Sequence, residues 1–479
     1  MENLNEMTIV EAARALRARE CSVRELWDAC SEAVKTKNPE LNAYLEIFDA
    51  DDIAIESAQN SINTEGESAP LLCGIPIALK DNILIEGHIA SAASKMLENY
   101  HATYDATVVK KLKDAGALFL GRTNMDEFAL GSSTENSAFG PTKNPHDTSR
   151  VPGGTSGGSA AAVAAHMAIA ALGTDTGGSV RCPASYCGVI GMKPTYGAVS
   201  RSGIIAAVSS FDQVGPITKT VEDAQILFNA IRGQDHKDST SIPDGLYGNE
   251  EKEPKIIGIP TELFANTLDK DMLERFNSAI KKSGLEVKEI KIPSAKPALA
   301  AYYIINFAEV STNLARFDGM RYGHSSSAGG GSASGGRGGE TLLDDYINSR
   351  TEGFGAETRR RILLGTFVLS SGYIDAYYHK AVAAREQLAR EFNKAFQEVD
   401  IIATPTMPTP AFKIGDKSDP LSLYLEDAFT VLANLTGMPA LSVPMGTVER
   451  EGHNLPVGIH FTAPHQAENT LFTLGSALQ

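Results

Sequence analysis

The sequence predicts an α/β fold built on a central mixed, mostly parallel β-sheet covered by helices on both faces. Three observations carry that expectation. Short apolar runs bounded by Gly and Pro alternate with helical stretches along nearly the whole chain, the order that crossover-connected strands require. Several runs are apolar at successive positions, as strands buried on both faces are. The 479 residues, 42% apolar and 21% charged, suffice for one large layered domain or two, and no internal repeat divides them.

Taken in order, two helices open the chain. Each is marked by a capping box, Thr8 with Glu11 and Ser22 with Glu25, pairing an N-cap hydroxyl with a carboxylate three residues later. "CGIPIALKDNI" (73–83) reads as a buried strand that carries Lys80 and Asp81 at its end. "TYDATVVKKLKDAGALFLGRTN" reads as a helix, a stop at Gly116 and the strand "ALFLG". Behind the Gly-rich stretch "GGTSGG" the run Ser159–Ala165 is alanine-rich enough for a close-packed helix. "AIAALGTDTGGSVRCPASYCG" then gives a short apolar strand that breaks into a second Gly-rich turn, Gly173 to Ser179. Residues 233–254 are polar, aperiodic and rich in Pro and Gly, a surface connection. "KIIGIP", the amphipathic stretch around "DKDMLERFNSAIKKSGLEV" and "KEIKIP" form a second β-α-β segment, at about 255–293. The low-complexity run 323–339 has too little apolar surface to offset its ordering entropy and is expected to be a mobile loop. Helical segments over 356–396 and the strands "VDIIATPT", "ALSVPMG" and "VGIHFTA" complete the set.

Composition excludes several functions. A formal charge of −16 argues against a broad grip on nucleic acid, because neutralising phosphates requires an excess of Lys and Arg. No apolar run is long enough to cross a bilayer, and "MENLNEMTIVEAARAL" is acidic and helical where an export signal is basic and apolar, so a cytoplasmic protein is expected. The five cysteines, Cys21, Cys30, Cys73, Cys182 and Cys187, form no C-x-x-C pair and read as reduced thiols. The ten histidines are scattered singly, without H-E-x-x-H, so no metal site is expected.

The chemistry concentrates in "GGTSGGSAAAVAA" (153–165) and the turn that follows it. A phosphate cradle at a helix N-terminus is one reading, but neither G-x-x-x-x-G-K-[ST] nor G-x-G-x-x-G is present. A nucleophile elbow is another, since Gly154, Ser156 and Gly158 satisfy G-x-S-x-G; the preceding "KNPHDTSRVP" is, however, polar and Pro-containing where that fold needs a strand. The third reading joins both Gly-Ser loops to Lys80. A serine hydroxyl needs a group to take its proton, and a desolvated lysine can do so. Ser179 would then be the nucleophile. The backbone N–H groups of Thr176, Gly177, Gly178 and Ser179 would converge on an oxyanion, and the first loop would supply a hydroxyl bridging Ser179 and Lys80. Against it stands the plain alternative of a turn beside a solvated lysine.

The same residues resemble a known family. "GGTSGGSAAAVAA" followed by "GTDTGGSVRCPASYCGVIGMKPTYG" looks like the amidase signature. "RTNMDEFALGSSTENSAFGPTKNPHD", "VSRSGIIAAVSSFDQVGPITKTVEDA", "TEGFGAETRRRILLGTFVLSSGYIDAYY" and "GMPALSVP" are similar to the A subunits of glutamyl-tRNA(Gln) amidotransferases. The resemblance implies one amidase domain over 1–479: N-terminal helices to about residue 70, a signature core over about 71–232, then the β-α-β segment and the low-complexity loop. It implies a Ser-cisSer-Lys triad in which Lys80 is the base, Ser179 the acyl-forming nucleophile and position 155 the bridge. Here the bridge is Thr155, which keeps the hydroxyl but adds a methyl that restricts χ1. Thr176, Gly177 and Gly178 become the oxyanion hole. Tyr302, Arg361 and Asp427 become the substrate site, a wall with a cation for the α-carboxylate and an anion for the α-ammonium of glutamine. Arg360 competes with Arg361 for that place. In the family the low-complexity run is replaced by a charged and aliphatic helix.

The activity so implied is glutamine hydrolysis that supplies ammonia to convert Glu-tRNA(Gln) into Gln-tRNA(Gln). The implied assembly is a heterotrimer with the amidotransferase B and C subunits, of which the B subunit holds most of the tRNA and uses ATP and magnesium, with no cofactor in this chain. Two alternatives stay beside it: a stand-alone amidase acting on another small amide with the same three residues, and a scaffold whose catalytic site has decayed.

Overall fold

The computed structural model describes residues 3–248, 252–264, 268–326 and 341–479. Its centre is an eleven-stranded sheet of β1 (Tyr44–Ile47), β2 (Pro76–Lys80), β3 (Leu118–Thr123), β4 (Ala170–Asp175), β5 (Ile190–Lys193), β6 (Gln213–Thr218), β7 (Ile256–Ile259), β8 (Glu286–Glu289), β9 (Ile401–Pro405), β10 (Ala440–Arg450) and β11 (His453–Thr462). The spatial order is β1-β3-β2-β4-β6-β5-β10-β11-β9-β7-β8. Every residue of β2, β4, β6 and β9 is buried, so helices cover both faces there, as the apolar runs predicted.

The sheet is mixed, but it is not mostly parallel. Parallel pairing is confined to β3-β2-β4 and β9-β7-β8; the middle of the sheet, from β4 through β6, β5, β10 and β11 to β9, is antiparallel throughout. Alternation of strand and helix along a sequence does not say which strands become neighbours, and one connection is a tight hairpin. Glu451 and Gly452, with φ of 55° and 84°, join β10 to β11 by a two-residue turn with both residues left-handed. That geometry matches the twist of antiparallel strands.

Both capping boxes form, with the reciprocal side-chain bonds in place. The helix Thr107–Asp114, the left-handed Gly116 and β3 follow as expected. The alanine-rich helix spans Gly157–Ala164, two residues earlier than its alanines suggested. β7 and β8 extend the same sheet beside β9, and β8 begins at Glu286, ahead of "KEIKIP". Ile290 and Ile292 are instead buried beyond the strand, among the apolar side chains of the helix Ala295–Asn313. The described part of 233–254 carries no helix or strand. From residue 327 on, the loop expected at 323–339 lies outside the described residues. Among those that are described, no helix is long and apolar enough to cross a membrane, and all five cysteines are buried free thiols.

Candidate active site

β2 and β4 run parallel and adjacent, with Leu79 opposite Leu172, so the chain leaves both strands at the same edge of the sheet. Crevices at the carboxyl ends of such strands are where open α/β sheets hold ligands. Lys80 is the last residue of β2, and the turn after β4 carries Ser179. The first Gly-Ser loop crosses between them and runs into the helix Gly157–Ala164.

Lys80 is fully buried. Its Nζ donates to Thr155 Oγ1 at 2.6 Å and lies within reach of Ser156 Oγ at 2.9 Å, Thr174 Oγ1 at 2.9 Å and the Thr174 carbonyl at 3.2 Å. Burial pushes its pKa down to about 7, although Asp126, Asp175 and Asp212 favour the ammonium. The usual fate of a lysine at a strand end, snorkelling to water, is therefore ruled out. The Gly154–Thr155 peptide bond is cis, as the resemblance implied. Ser179 is nearly buried; its carbonyl accepts from the Ser156 N–H at 3.0 Å, while its hydroxyl makes no hydrogen bond among the described residues. The contact between bridge and lysine is thus closed, and the hydroxyl of Ser179 is free.

The turn 176–180 is braced by Asp175. Its carboxylate accepts from Gly178 N–H (3.0 Å), Val180 N–H (3.1 Å), Asn434 Nδ2 (2.9 Å) and, in a fork, from Arg181 Nε (3.0 Å) and Nη2 (2.8 Å). Burial alone would raise this carboxyl, but Arg181 and Asn434 hold it well below the usual range. The assignment of Gly178 as an oxyanion donor is therefore corrected, because its N–H is committed to Asp175. The N–H groups of Thr176, Gly177 and Ser179 make no hydrogen bond among the described residues and remain available. Side chains are excluded from the turn on both sides: a Cβ at Gly177 would collide with Tyr302 Oη, and one at Gly178, whose φ is +135°, with Thr430 Oγ1.

The predicted substrate residues come together beside that turn. Tyr302 lies against Gly177, its ring stacked on Phe211 at 5.4 Å between centroids. Arg361 is buried on the helix Ala356–Val368, held by Glu357 (Nε to Oε1, 2.8 Å) and Asn306 (Nη1 to Oδ1, 3.2 Å), with its guanidinium 5.5 Å from the centroid of Tyr303. Its Nη2 makes no hydrogen bond among the described residues. Arg360 points outward, with 43% of its side chain exposed, which removes it as a rival. Asp427 accepts from Ser132 Oγ at 2.8 Å and Tyr303 Oη at 2.6 Å, and burial raises it to about 7. Tyr303 thus touches both charged residues, yet only its adjacency to Tyr302 in sequence could have pointed to it. Thr174, Asp175 and Arg181 were likewise not singled out, although Asp175 and Arg181 bracket "TGGSV" as an acid and a base, and Ser156, the serine of the G-x-S-x-G reading, is instead hydrogen-bonded to Lys80. A separate cavity of about 770 Å³, between Trp27, Phe48, Cys73 and Phe119, includes none of these residues.

Comparison with known proteins shows the family to which the fold belongs. Residues 25–472 match the model of the Amidase family. The chain is 48% identical to the glutamyl-tRNA(Gln) amidotransferase A subunit of Akkermansia muciniphila, across 98% of this chain and 98% of that protein. It is 46% identical to the protein of the same name from Koribacter versatilis, across 100% and 98%. The crystal structure of the glutamyl-tRNA(Gln) amidotransferase A subunit from Thermotoga maritima has the same fold, with a TM-score of 0.78 and 39% identity over 100% of this chain and 95% of that one. The chain belongs to the amidase family, and within it to the group of these amidotransferase A subunits.

Proposed function

We propose that this chain is the glutaminase component of a tRNA-dependent amidotransferase and that it works through Lys80, Thr155 and Ser179. The observation that carries the reading is a fully buried lysine, with a pKa brought to about 7, hydrogen-bonded at 2.6 Å to the hydroxyl of Thr155 beside a turn whose Ser179 hydroxyl and Gly177 and Ser179 N–H groups are unengaged among the described residues. In its neutral form Lys80 takes the proton of Thr155 as Thr155 takes that of Ser179. Ser179 Oγ bonds to Cδ of glutamine, and the carbonyl π pair moves to oxygen, facing the N–H groups of Gly177 and Ser179. On collapse the C–N bond breaks; the nitrogen leaves as ammonia with the proton returned through Thr155, and a γ-glutamyl ester remains on Ser179. Water then adds to that ester by the same proton route, releasing glutamate and restoring the serine.

Free glutamine is a zwitterion, and its charges must be paired once buried. Arg361, with Nη2 unengaged, suits the α-carboxylate, and Asp427 suits the α-ammonium, whose charge would favour the ionised carboxylate. Tyr302 walls the site on the side of the turn. Relatives nearly half identical are named as glutamyl-tRNA(Gln) amidotransferase A subunits, which supports assembly with further subunits. In this reading these are the B and C subunits, and the B subunit spends ATP, with magnesium, and the ammonia on Glu-tRNA(Gln). The charge of −16 fits RNA being held mainly by a partner.

The deciding experiment is glutamine-dependent ammonia release by this chain, alone and with the B and C subunits, each beside Ser179→Ala. Release that appears in the complex and vanishes in the variant is expected. Turnover that survives Ser179→Ala would overturn the reading.

A further inference from the structure

Between the two glycines of the turn lies a single peptide unit, Gly177–Gly178, with no side chain on either side to resist rotation. Both of its polar ends are nevertheless held. Its N–H donates to Asp175 Oδ1 at 3.0 Å, and its carbonyl accepts from Thr430 Oγ1 at 2.6 Å. Asp175 belongs to the turn's own strand, but Thr430 arrives from a segment 253 residues away in sequence. The peptide sits between two of the free donors, the N–H groups of Gly177 and Ser179. Released at the carbonyl end it would be held only through its N–H bond to Asp175, and a carbonyl dipole turned among those donors opposes a developing anion.

Thr430 does not stand alone. Three residues before it is Asp427, whose carbonyl also lies 3.3 Å from Thr430 Oγ1. Arg181 is fully buried with donors from all three nitrogens engaged: besides Asp175, it donates to the Thr430 carbonyl at 2.9 Å, to Asn434 Oδ1 at 2.7 Å and to His460 Nε2 at 2.8 Å. The segment that offers an anion to the substrate is therefore bolted to the turn that carries the nucleophile. We infer that Thr430 is a positioning residue which locks the Gly177–Gly178 peptide, keeps the oxyanion donors aimed, and registers them against Asp427. The inference rests on the glutaminase reading above.

The test uses the assembled amidotransferase with Thr430→Val, which keeps the shape and removes the hydroxyl, and Thr430→Ser, which keeps the hydroxyl. Loss of a direct oxyanion donor costs about 10²–10³ in kcat, so loss of its support is expected to lower kcat about 10- to 100-fold in Thr430→Val. KM for glutamine should stay within about threefold, the melting temperature should change little, and Thr430→Ser should recover most of the turnover, because the substrate anchors are untouched. The boronic acid analogue of glutamine, whose tetrahedral adduct with Ser179 places an oxygen among the donors, should lose affinity by the factor lost in kcat/KM, while inhibition by glutamate is unchanged. Turnover of Thr430→Val within about twofold of the parent, or a Thr430→Ser as impaired as the valine variant, would overturn the inference. Ser179→Ala is run in parallel: if it remains active the acyl-serine reading itself falls, whereas an inactive Ser179→Ala beside an unimpaired Thr430→Val removes only the role of Thr430.

Discussion

The pH dependence of glutamine hydrolysis tests the site most directly, because two groups must titrate in a fixed sense. Lys80 acts as base only when neutral, and with its pKa near 7 about half of it is neutral at pH 7, about a tenth at pH 6 and about a hundredth at pH 5. Asp427 binds an ammonium only when ionised, and burial holds it at about 7 as well. Both requirements fail as pH falls. In the enzyme–substrate complex Asp427 is already paired, so kcat should drop about tenfold per pH unit below about 7 and be flat above. In the free enzyme both groups count, and kcat/KM should drop towards about a hundredfold per unit. Asp427→Asn should return the steeper limb to the shallower slope while raising KM. Asp126→Asn removes a charge that favours the ammonium of Lys80, so its midpoint should move below that of the parent. The assay is glutamate formation by the complex at constant ionic strength, from about pH 5 to 9.5. A kcat that climbs tenfold per unit through pH 9, as an unperturbed lysine at 10.5 demands, would refute the argument that burial has tuned Lys80.

Three further outcomes follow from the same geometry. Thr155→Ser should stay within about an order of magnitude of the parent and Thr155→Val should lose about 10²–10⁴ in kcat, because the hydroxyl on Lys80 and not the methyl carries the proton; ammonia release checks both. Arg361→Lys should raise KM for glutamine about 10- to 100-fold with a much smaller change in kcat, since a point charge replaces the planar fork seated on Glu357 and Tyr303; initial rates against glutamine concentration check it. Arg181→Met should destabilise the fold by about 3–5 kcal/mol, because it strands the buried Asp175 carboxylate; denaturant unfolding checks it, and an unchanged midpoint would contradict the pairing.

Much of the candidate site was legible in the linear order of residues. A lysine ending an apolar run, and two Gly-Ser loops separated by one alanine-rich helix, are local patterns, and the strand and helix that place them form where the apolar periodicity indicates. The use of each N–H in the second loop was not legible. Whether Gly178 points at substrate or at Asp175 depends on a rotation of one peptide, which a Gly-Gly pair leaves unspecified. The choice between Arg360 and Arg361 was equally hidden. Neighbours on a helix face directions about 100° apart, and only the packing of the helix Ala356–Val368 decides which one turns inward.

By itself, then, the sequence determined the α/β class, two capped helix starts, the Gly116 stop, the strands that carry Lys80 and lead into the second Gly-rich turn, and the candidate site residues, because helix caps, Gly stops and apolar runs act over a few positions. Tertiary structure alone decided the order and direction of the eleven strands, the antiparallel middle of the sheet, and the meeting of Tyr303 with Asp427, 124 residues apart, and of Gly177 with Thr430. The physical reason is range. A capping box or a left-handed glycine is settled by its immediate neighbours, whereas a buried carboxylate finds its partners, and a buried lysine has its pKa pushed down, only after distant segments have closed over them and expelled water.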